Sequence, residues 1–345
     1  MPAKDLKILL VGPGAVGGTT AAFISKAGYD LSILARNPQT IDRLRSSGLH
    51  VLGRRGEVRA TPPVYASPSE VPGKMDIILL ATKATALPDV VRNLRPLMKP
   101  TSVLVSLQNG LCAETIADII GVDATIACVV SWGATMHAPG ELEMTSTGNF
   151  IIGRLDARTD ANLTAVQEVL QTVLPTGISA NIKGHLYAKL IINSCITTLG
   201  AISGMYLGKL LAMRNARNIF IEIIREAMNV AHAMGLKVES VAKLDFDSFL
   251  KGTGPAAYLE RHTMIRLIGL KYRRLKSSSL QSLERGERTE VDYLNGTISA
   301  KGRSLGIPTP LNDFLTELVH SIESGTLSIS PKNIDSAYFS FYEKR

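Results

Sequence analysis

The chain has 345 residues, 45% hydrophobic and 20% charged, with a formal net charge of +8. Such a length accommodates two separately cored domains, and such a balance excludes a disordered or low-complexity chain. Its basic residues are dispersed, and the densest run, Lys271 to Lys276, lacks a repeated aromatic-basic pattern. A solvated helix face, or a positive field drawing in an anionic cofactor and acid substrate, therefore ranks ahead of nucleic-acid binding.

Lys7 to Val11 reads as a strand that runs into Gly12-Pro13-Gly14-Ala15-Val16-Gly17 and then a helix. One glycine permits the turn, one lets the backbone approach a pyrophosphate, and one lets the helix pack on the sheet. A diphosphate then lies over the helix N-terminus, where free N–H groups and the macrodipole favour an anion, so Gly12, Gly14, Ala15, Val16 and Gly17 are cofactor-binding candidates. The next strand, Asp30 to Asn37, carries Arg36 where an NAD-binding version carries a carboxylate, and no carboxylate follows until Asp42. A guanidinium there suits the 2′-phosphate of NADP(H), the alternative being an ordinary surface arginine. Further strands are expected at 75–81, 102–107 and 124–130. A hairpin of 142–145 and 149–153 is expected to close the sheet, followed by a helix over 160–174 and a last strand at 178–182. Alternating strands and helices imply an α/β, doubly wound parallel sheet of the Rossmann type over residues 1–183.

From Gly184 the periodicity becomes helical, predicting helices over 185–200, 215–234, 257–284, 291–306 and 311–324 and an all-helical domain over 184–345. The tail from 326 to 345 reads as irregular, packing on the body or on a second subunit. Cys112, Cys128 and Cys195 are widely spaced, so no disulfide framework and no metal site is expected. No window is apolar and uninterrupted enough to predict a membrane span, and the N-terminus lacks a secretory pattern. A cytoplasmic location follows as an expectation.

Lys189, Asn193 and Thr197 recur every four residues along the helix from Gly184, among Leu190, Ile191, Ile192, Cys195, Ile196 and Leu199. A polar stripe on so apolar a helix lines a cleft or pairs internally. A lysine there is a candidate proton donor to a carbonyl oxygen, or a structural lysine paired with a carboxylate. The serines of Ser277-Ser278-Ser279 are candidates for anchoring a substrate carboxylate, and Thr289-Glu290 opens an amphipathic segment. Helix capping by Ser277 and Thr289 accounts for the same residue types. Lys83 and Asn109 follow strands at the crevice end of an α/β sheet, as cofactor contacts or as a surface charge and a turn.

Six blocks together resemble the ketopantoate reductase (2-dehydropantoate 2-reductase) family: Gly12 to Gly17, Leu34-Ala35-Arg36, Thr82-Lys83-Ala84, Leu107 to Gly110, Tyr187 to Asn193, and Thr289 to Gly296. The resemblance implies NADPH-dependent reduction of a 2-keto acid in pantothenate biosynthesis, in a Rossmann domain followed by a helical domain with the active site between them. It implies Lys189 as general acid, Glu290 as a supporting acidic residue, Asn193 and Ser278 as substrate-holding residues, and Lys83 and Asn109 as cofactor-holding residues. Thr197 stands where family members that reduce ketopantoate carry a second asparagine, and the stretch 248–276 is longer than the family core needs. Both point to a paralogue acting on another, bulkier 2-keto acid as an alternative to ketopantoate itself. A non-catalytic NADPH-binding sensor is the third reading, against which the intact Lys189, Asn193 and Glu290 argue. The oligomeric state stays open between monomer and homodimer; nucleic-acid and membrane partners are not expected.

Overall fold

A computed structural model of the chain describes residues 5–241 and 244–342. Contacts divide the chain into two units, Met1–Ile182 and Lys183–Arg345. The first contains β1 (Lys7–Val11), α1 (Ala15–Lys26), β2 (Asp30–Leu34), α2 (Pro38–Ser47), β3 (Leu49–Gly53), β4 (Val58–Ala60), β5 (Val64–Tyr65), β6 (Met75–Leu80), α3 (Leu87–Leu94), β7 (Met98–Ser106), α4 (Cys112–Ile120), β8 (Thr125–Val130), β9 (Gly133–Ala138), β10 (Glu141–Ser146), β11 (Phe150–Gly153), α5 (Ala161–Gln171) and β12 (Thr176–Ile178). The main sheet has the order β12-β11-β8-β7-β6-β1-β2-β5. β5, β2, β1, β6, β7 and β8 are parallel neighbours, which is the doubly wound order. β11 then runs antiparallel to β8, and β12 parallel to β11. The central strands are apolar on both faces, as a sheet covered by helices on each side requires: Ile8, Leu9, Leu10, Ile78 and Leu79 are all buried.

The expected closing hairpin does not form. β10 pairs with β9 and β3 in a separate four-stranded sheet, β4-β3-β10-β9, while β11 joins the main sheet. The small sheet packs against α1: a Cβ on Gly18 would lie 2.7 Å from Leu142 Cδ1 and 3.4 Å from Leu49 Cδ2. The strand expected at 178–182 is β12, ending at Ile178, and Ile182 already begins a helix.

The second unit contains α6 (Ile182–Ser203), α7 (Leu207–Leu210), α8 (Arg214–Ala233), α9 (Phe246–Leu250), α10 (Gly254–Lys271), α11 (Ser278–Glu284), α12 (Asn295–Leu305), α13 (Pro310–Glu323) and α14 (Lys332–Tyr342). The long helix expected over 257–284 is broken into α10 and α11, because Ser277 caps α11 by accepting from Leu280 N (3.2 Å). The segment expected from 291 opens as a short 3-10 turn, Val291–Tyr293, before α12. The tail is irregular as expected only over residues 326–331; Lys332–Tyr342 form α14, and Asn333 Nδ2 donates to Ile202 O (2.9 Å). Residues 343–345 of that tail lie outside the described residues. Contrary to expectation, α6 is long and apolar enough to cross a membrane, with mean hydropathy 1.3, but 78% of that window is buried in the protein, as in a core helix.

Candidate active site

The turn after β1 is pinned on both sides. Ala81 N donates to Val11 O (2.9 Å) and Gly12 N donates to Leu34 O (3.0 Å), tying it to the ends of β6 and β2. Gly12 has φ of +90°, and a Cβ there would lie 2.8 Å from Thr82 Cγ2 and 2.9 Å from Thr82 N. On Gly17 a Cβ would lie 2.2 Å from Gly12 O and 2.8 Å from Ala81 Cβ, so α1 reaches the sheet this closely only through glycine. Gly14 differs, since no heavy atom lies within 4 Å of the position its Cβ would take. It is the N-cap residue of α1, with no side-chain cap bond and no acidic residue in the first turn. The first-turn N–H groups, from Ala15 onward, have no partner within the helix. Open space, free donors and the helix dipole together fit a diphosphate.

This cradle lies at the C-terminal ends of β1 and β6, where the strand order reverses. Arg36 is exposed, two residues beyond the Leu34–Gly12 bond. The neighbouring Asn37 is committed to capping α2 by accepting from Thr40 N (3.1 Å). Lys83 is exposed before the short turn Ala84–Ala86, and Asn109 is half-buried after β7. Gln108 stitches the two loops together, donating from Nε2 to Thr82 O (2.9 Å) and accepting from Ser106 Oγ (3.2 Å). Gln108 lies inside the block Leu107 to Gly110, where sequence alone gives it no task. Its signal was an amide at a strand end, a type common in turns.

In the helical unit, α6 carries Lys189 and Asn193 half-buried and Thr197 buried, at 7% exposure. The stripe is therefore only partly open to solvent. Thr197 Oγ1 donates to Asn193 O (2.8 Å), so its one hydroxyl proton is spent on the helix backbone. α8 backs this helix, with Tyr187 Oη donating to Ala227 O (3.0 Å). Close by, Ser277 Oγ donates to Thr197 O (3.3 Å), and a Cβ on Gly200 would lie 2.5 Å from that Oγ. The capping reading of Ser277 holds, and the same serine docks the start of α11 on α6. Ser278, the first residue of α11, is exposed.

Glu290 is half-buried and precedes the 3-10 turn Val291–Tyr293 rather than a long helix. Thr289 sets the segment, with its N donating to Glu323 Oε1 (2.7 Å) and its Oγ1 accepting from Val291 N (3.2 Å). A buried polar chain then ties this region to α6. Thr198 Oγ1 donates to Asn295 Oδ1 (2.5 Å), and Asn295 Nδ2 donates to Asn312 Oδ1 (2.9 Å). Asn312 Nδ2 in turn donates to Glu226 Oε2 (2.7 Å). Glu226 also accepts from Leu311 N (2.9 Å) and Asn312 N (3.0 Å), capping α13 from α8. Burial raises the Glu226 carboxyl above its ordinary range, opposed by these three donors. Local periodicity does not encode this chain, whose partners lie far apart in sequence. Its one visible signal was a pair of carboxylates, Glu222 and Glu226, four apart on the apolar side of α8.

Comparison with known proteins agrees with the expected resemblance. The ketopantoate reductase PanE/ApbA pattern matches residues 8–157, and the PanE/ApbA C-terminal pattern matches residues 181–323. A 2-dehydropantoate 2-reductase of Archaeoglobus fulgidus is 28% identical over 320 residues, 92% of this chain and 98% of its own. The crystal structure of a PanE/ApbA family ketopantoate reductase from Ralstonia eutropha JMP134 superposes with a TM-score of 0.80 at 27% identity, covering 93% of this chain and 99% of that one. D-mandelate dehydrogenase, solved with NADH and anilino(oxo)acetate, shares the fold with a TM-score of 0.79 at 24% identity, over 93% and 99% of the two chains.

Proposed function

This chain belongs to the ketopantoate reductase PanE/ApbA family, oxidoreductases acting on a CH–OH group, and from that premise we propose that it reduces a small 2-keto acid with NADPH, ketopantoate being the leading candidate. The observation that carries this reading is the polar edge of α6, where Lys189 and Asn193 stand half-buried beside apolar neighbours. A lysine on such an edge is a candidate proton donor to a carbonyl oxygen.

The nicotinamide, when bound, supplies the hydride. The cradle over Gly14, with the N–H groups of Ala15, Val16 and Gly17, holds the diphosphate, and Arg36 donates to the 2′-phosphate. Lys83 and Asn109 hold the rest of the dinucleotide. Lys189 Nζ gives its proton to the keto oxygen and stabilises the negative charge growing there. The Asn193 amide and the Ser278 hydroxyl orient the keto acid, and Glu290 supports its polar end.

Thr197 favours a second substrate reading, a bulkier 2-keto acid. Its side chain is shorter than an asparagine's and its proton is already donated to Asn193 O, so toward a substrate it can only accept. A substrate hydroxyl that needs a donor there is left unpaired, at a cost of about 1–3 kcal/mol.

The test is a panel of 2-keto acids with NADPH and with NADH, run on wild type and Lys189→Ala. The expected outcome is keto-acid-dependent oxidation of NADPH, with kcat falling roughly 10²- to 10⁴-fold in the variant. NADPH binding with no turnover on any member of the panel overturns the reductase reading. Turnover confined to the larger keto acids selects the bulkier substrate, and unchanged turnover in Lys189→Ala removes the proposed acid.

A further inference from the structure

The loops that follow β6 and β7 are joined by one buried side chain. Leu107 N donates to Leu80 O (2.9 Å) at the end of the ladder between the two strands. Past that rung Gln108, only 6% exposed, takes over the bridging. Its Nε2 donates to Thr82 O (2.9 Å) and Thr82 Oγ1 (3.3 Å), and its Oε1 accepts from Ser106 Oγ (3.2 Å). Chemistry fixes which end of the amide is which, because Thr82 O only accepts and so faces the NH2 group. Ser106 is buried as well, so both ends of the amide are matched away from bulk water, where a lost partner is costly.

Three segments meet at Thr82. A Cβ on Gly12 would lie 2.8 Å from Thr82 Cγ2 and 2.9 Å from Thr82 N, so the diphosphate turn packs directly on it. Lys83 is the next residue in the chain, and the Gln108 bond arrives from the residue before Asn109. On the far side of Asn109, Gly110 turns the backbone at φ of +79° and Cys112 Sγ donates to Asn109 O (3.2 Å). Asn109 is thus anchored from both directions along the chain and stands half-buried between the anchors. Gln108 itself is buried with its amide engaged at both ends, so it acts through its neighbours.

We propose that Gln108 is a positioning residue for the dinucleotide. Its amide holds the Gly12, Lys83 and Asn109 segments in one arrangement before the cofactor arrives, so that binding does not have to order them. This rests on the dinucleotide reading of the sheet unit, and not on which keto acid is reduced.

Two variants of the full chain test it through affinity for NADP+ and NAD+, read by titration calorimetry below the unfolding transition and without turnover. Gln108→Met keeps the volume and removes the amide's hydrogen bonds. Its affinity is expected to fall roughly tenfold, by the same factor for both dinucleotides, because the 2′-phosphate is not involved. Gln108→Glu keeps the Ser106 bond, but its ionised carboxylate has no proton to give Thr82 O. Once protonated it donates as the amide does, and burial raises the pH at which that happens. Its deficit relative to wild type is therefore expected at about pH 8 and should close toward about pH 5.5, while that of Gln108→Met stays constant. Wild-type affinity at each pH serves as the reference, which cancels the titration of the cofactor.

Gln108→Met binding both dinucleotides as tightly as wild type overturns the proposal. So does a loss confined to NADP+, or a Gln108→Glu deficit that ignores pH, since a residue that only fills space responds to neither donor nor proton. The reductase reading fails separately, as a wild type that binds the dinucleotide and turns over no keto acid.

Discussion

The sheet unit and the helical unit build their polar sites in opposite ways. In the first, the glycine turn is assembled from neighbours in sequence and from strand ends already hydrogen-bonded in the sheet. Gly12, Gly14 and Gly17 lie within six residues, and Thr82 and Gln108 arrive on adjacent strands. In the second, one face of α6 is held by residues 80 and 97 positions away, Ser277 and Asn295, with Glu226 bonding 85 and 86 positions ahead. Backbone groups do most of the positioning in the sheet unit, and buried side chains do it in the helical unit. The first arrangement tolerates side-chain changes outside the glycines and Gln108. The second depends on each polar partner finding its mate, because an unmated buried group costs about 1–3 kcal/mol.

The largest effect that can break this contrast comes from Glu226→Ala. It strips three buried N–H donors of their acceptor, at Leu311 N, Asn312 N and Asn312 Nδ2. A loss of about 3 kcal/mol or more in unfolding free energy is expected, read from urea denaturation. Turnover should fall as well, because the chain from Glu226 through Asn312 and Asn295 ends on Thr198, next to Thr197. Affinity for NADPH, measured below the unfolding transition, should hold. If nucleotide affinity falls in step with stability, the two sites are not built independently.

Arg36→Ala tests the sheet side with a smaller effect. Charged hydrogen bonds contribute about 1.5–3 kcal/mol each, so removal of the guanidinium should weaken NADPH binding roughly 10- to 100-fold. NADH binding, which lacks the 2′-phosphate, should change little, and unfolding stability should stay within about 0.5 kcal/mol because Arg36 is exposed. Equal loss of both nucleotides, measured by fluorescence titration, counts against a 2′-phosphate contact.

The same contrast explains what the sequence made legible. The turn from Gly12 to Gly17, the parallel strands that follow and the stripe from Lys189 to Thr197 are carried by local spacing, and all three were readable. What escaped depends on distant pairing. β10 and β11 have the alternation and the glycine of a hairpin, yet β10 instead finds β3, some ninety residues earlier, a register that periodicity does not encode. A Cβ on Gly148 would lie 2.0 Å from Ser131 O, so that glycine serves close passage between the sheets. The break between α10 and α11 contains neither proline nor glycine. It is made by Ser277, whose hydroxyl satisfies Leu280 N and Thr197 O together. α14 did leave a local signal, Ser330-Pro331 ahead of a helix, which the aromatic run of the tail obscured.

The smallest expected effect concerns acid, and it separates the two units by pH. In the helical unit His262 is fixed as one neutral tautomer. Arg217 Nε donates to its Nδ1 (2.9 Å), so its Nε2–H donates to Asn218 Oδ1 (3.1 Å). Burial first, then the Arg217 and Arg214 charges, hold its pKa down to about 4 against an ordinary 6.5. Between those values the unfolded chain takes up a proton that the folded chain refuses. Stability from this site is therefore complete above about 6.5 and drains away as pH falls toward 4. In the sheet unit His50 bridges Glu141 and Glu57 (2.9 Å each); hydrogen bonds from Arg59 and then His50 lower the Glu57 carboxyl, and one from His50 first lowers that of Glu141. Their contribution persists to lower pH and is lost only as they protonate. His262→Gln keeps an acceptor for Arg217 and a donor for Asn218 without the titration. Its thermal midpoint should fall less steeply than that of wild type between pH 6.5 and 4. Some slope should survive, because burial also lowers His185 on α6. An identical slope in the variant means that the acid sensitivity of the helical unit arises from other groups.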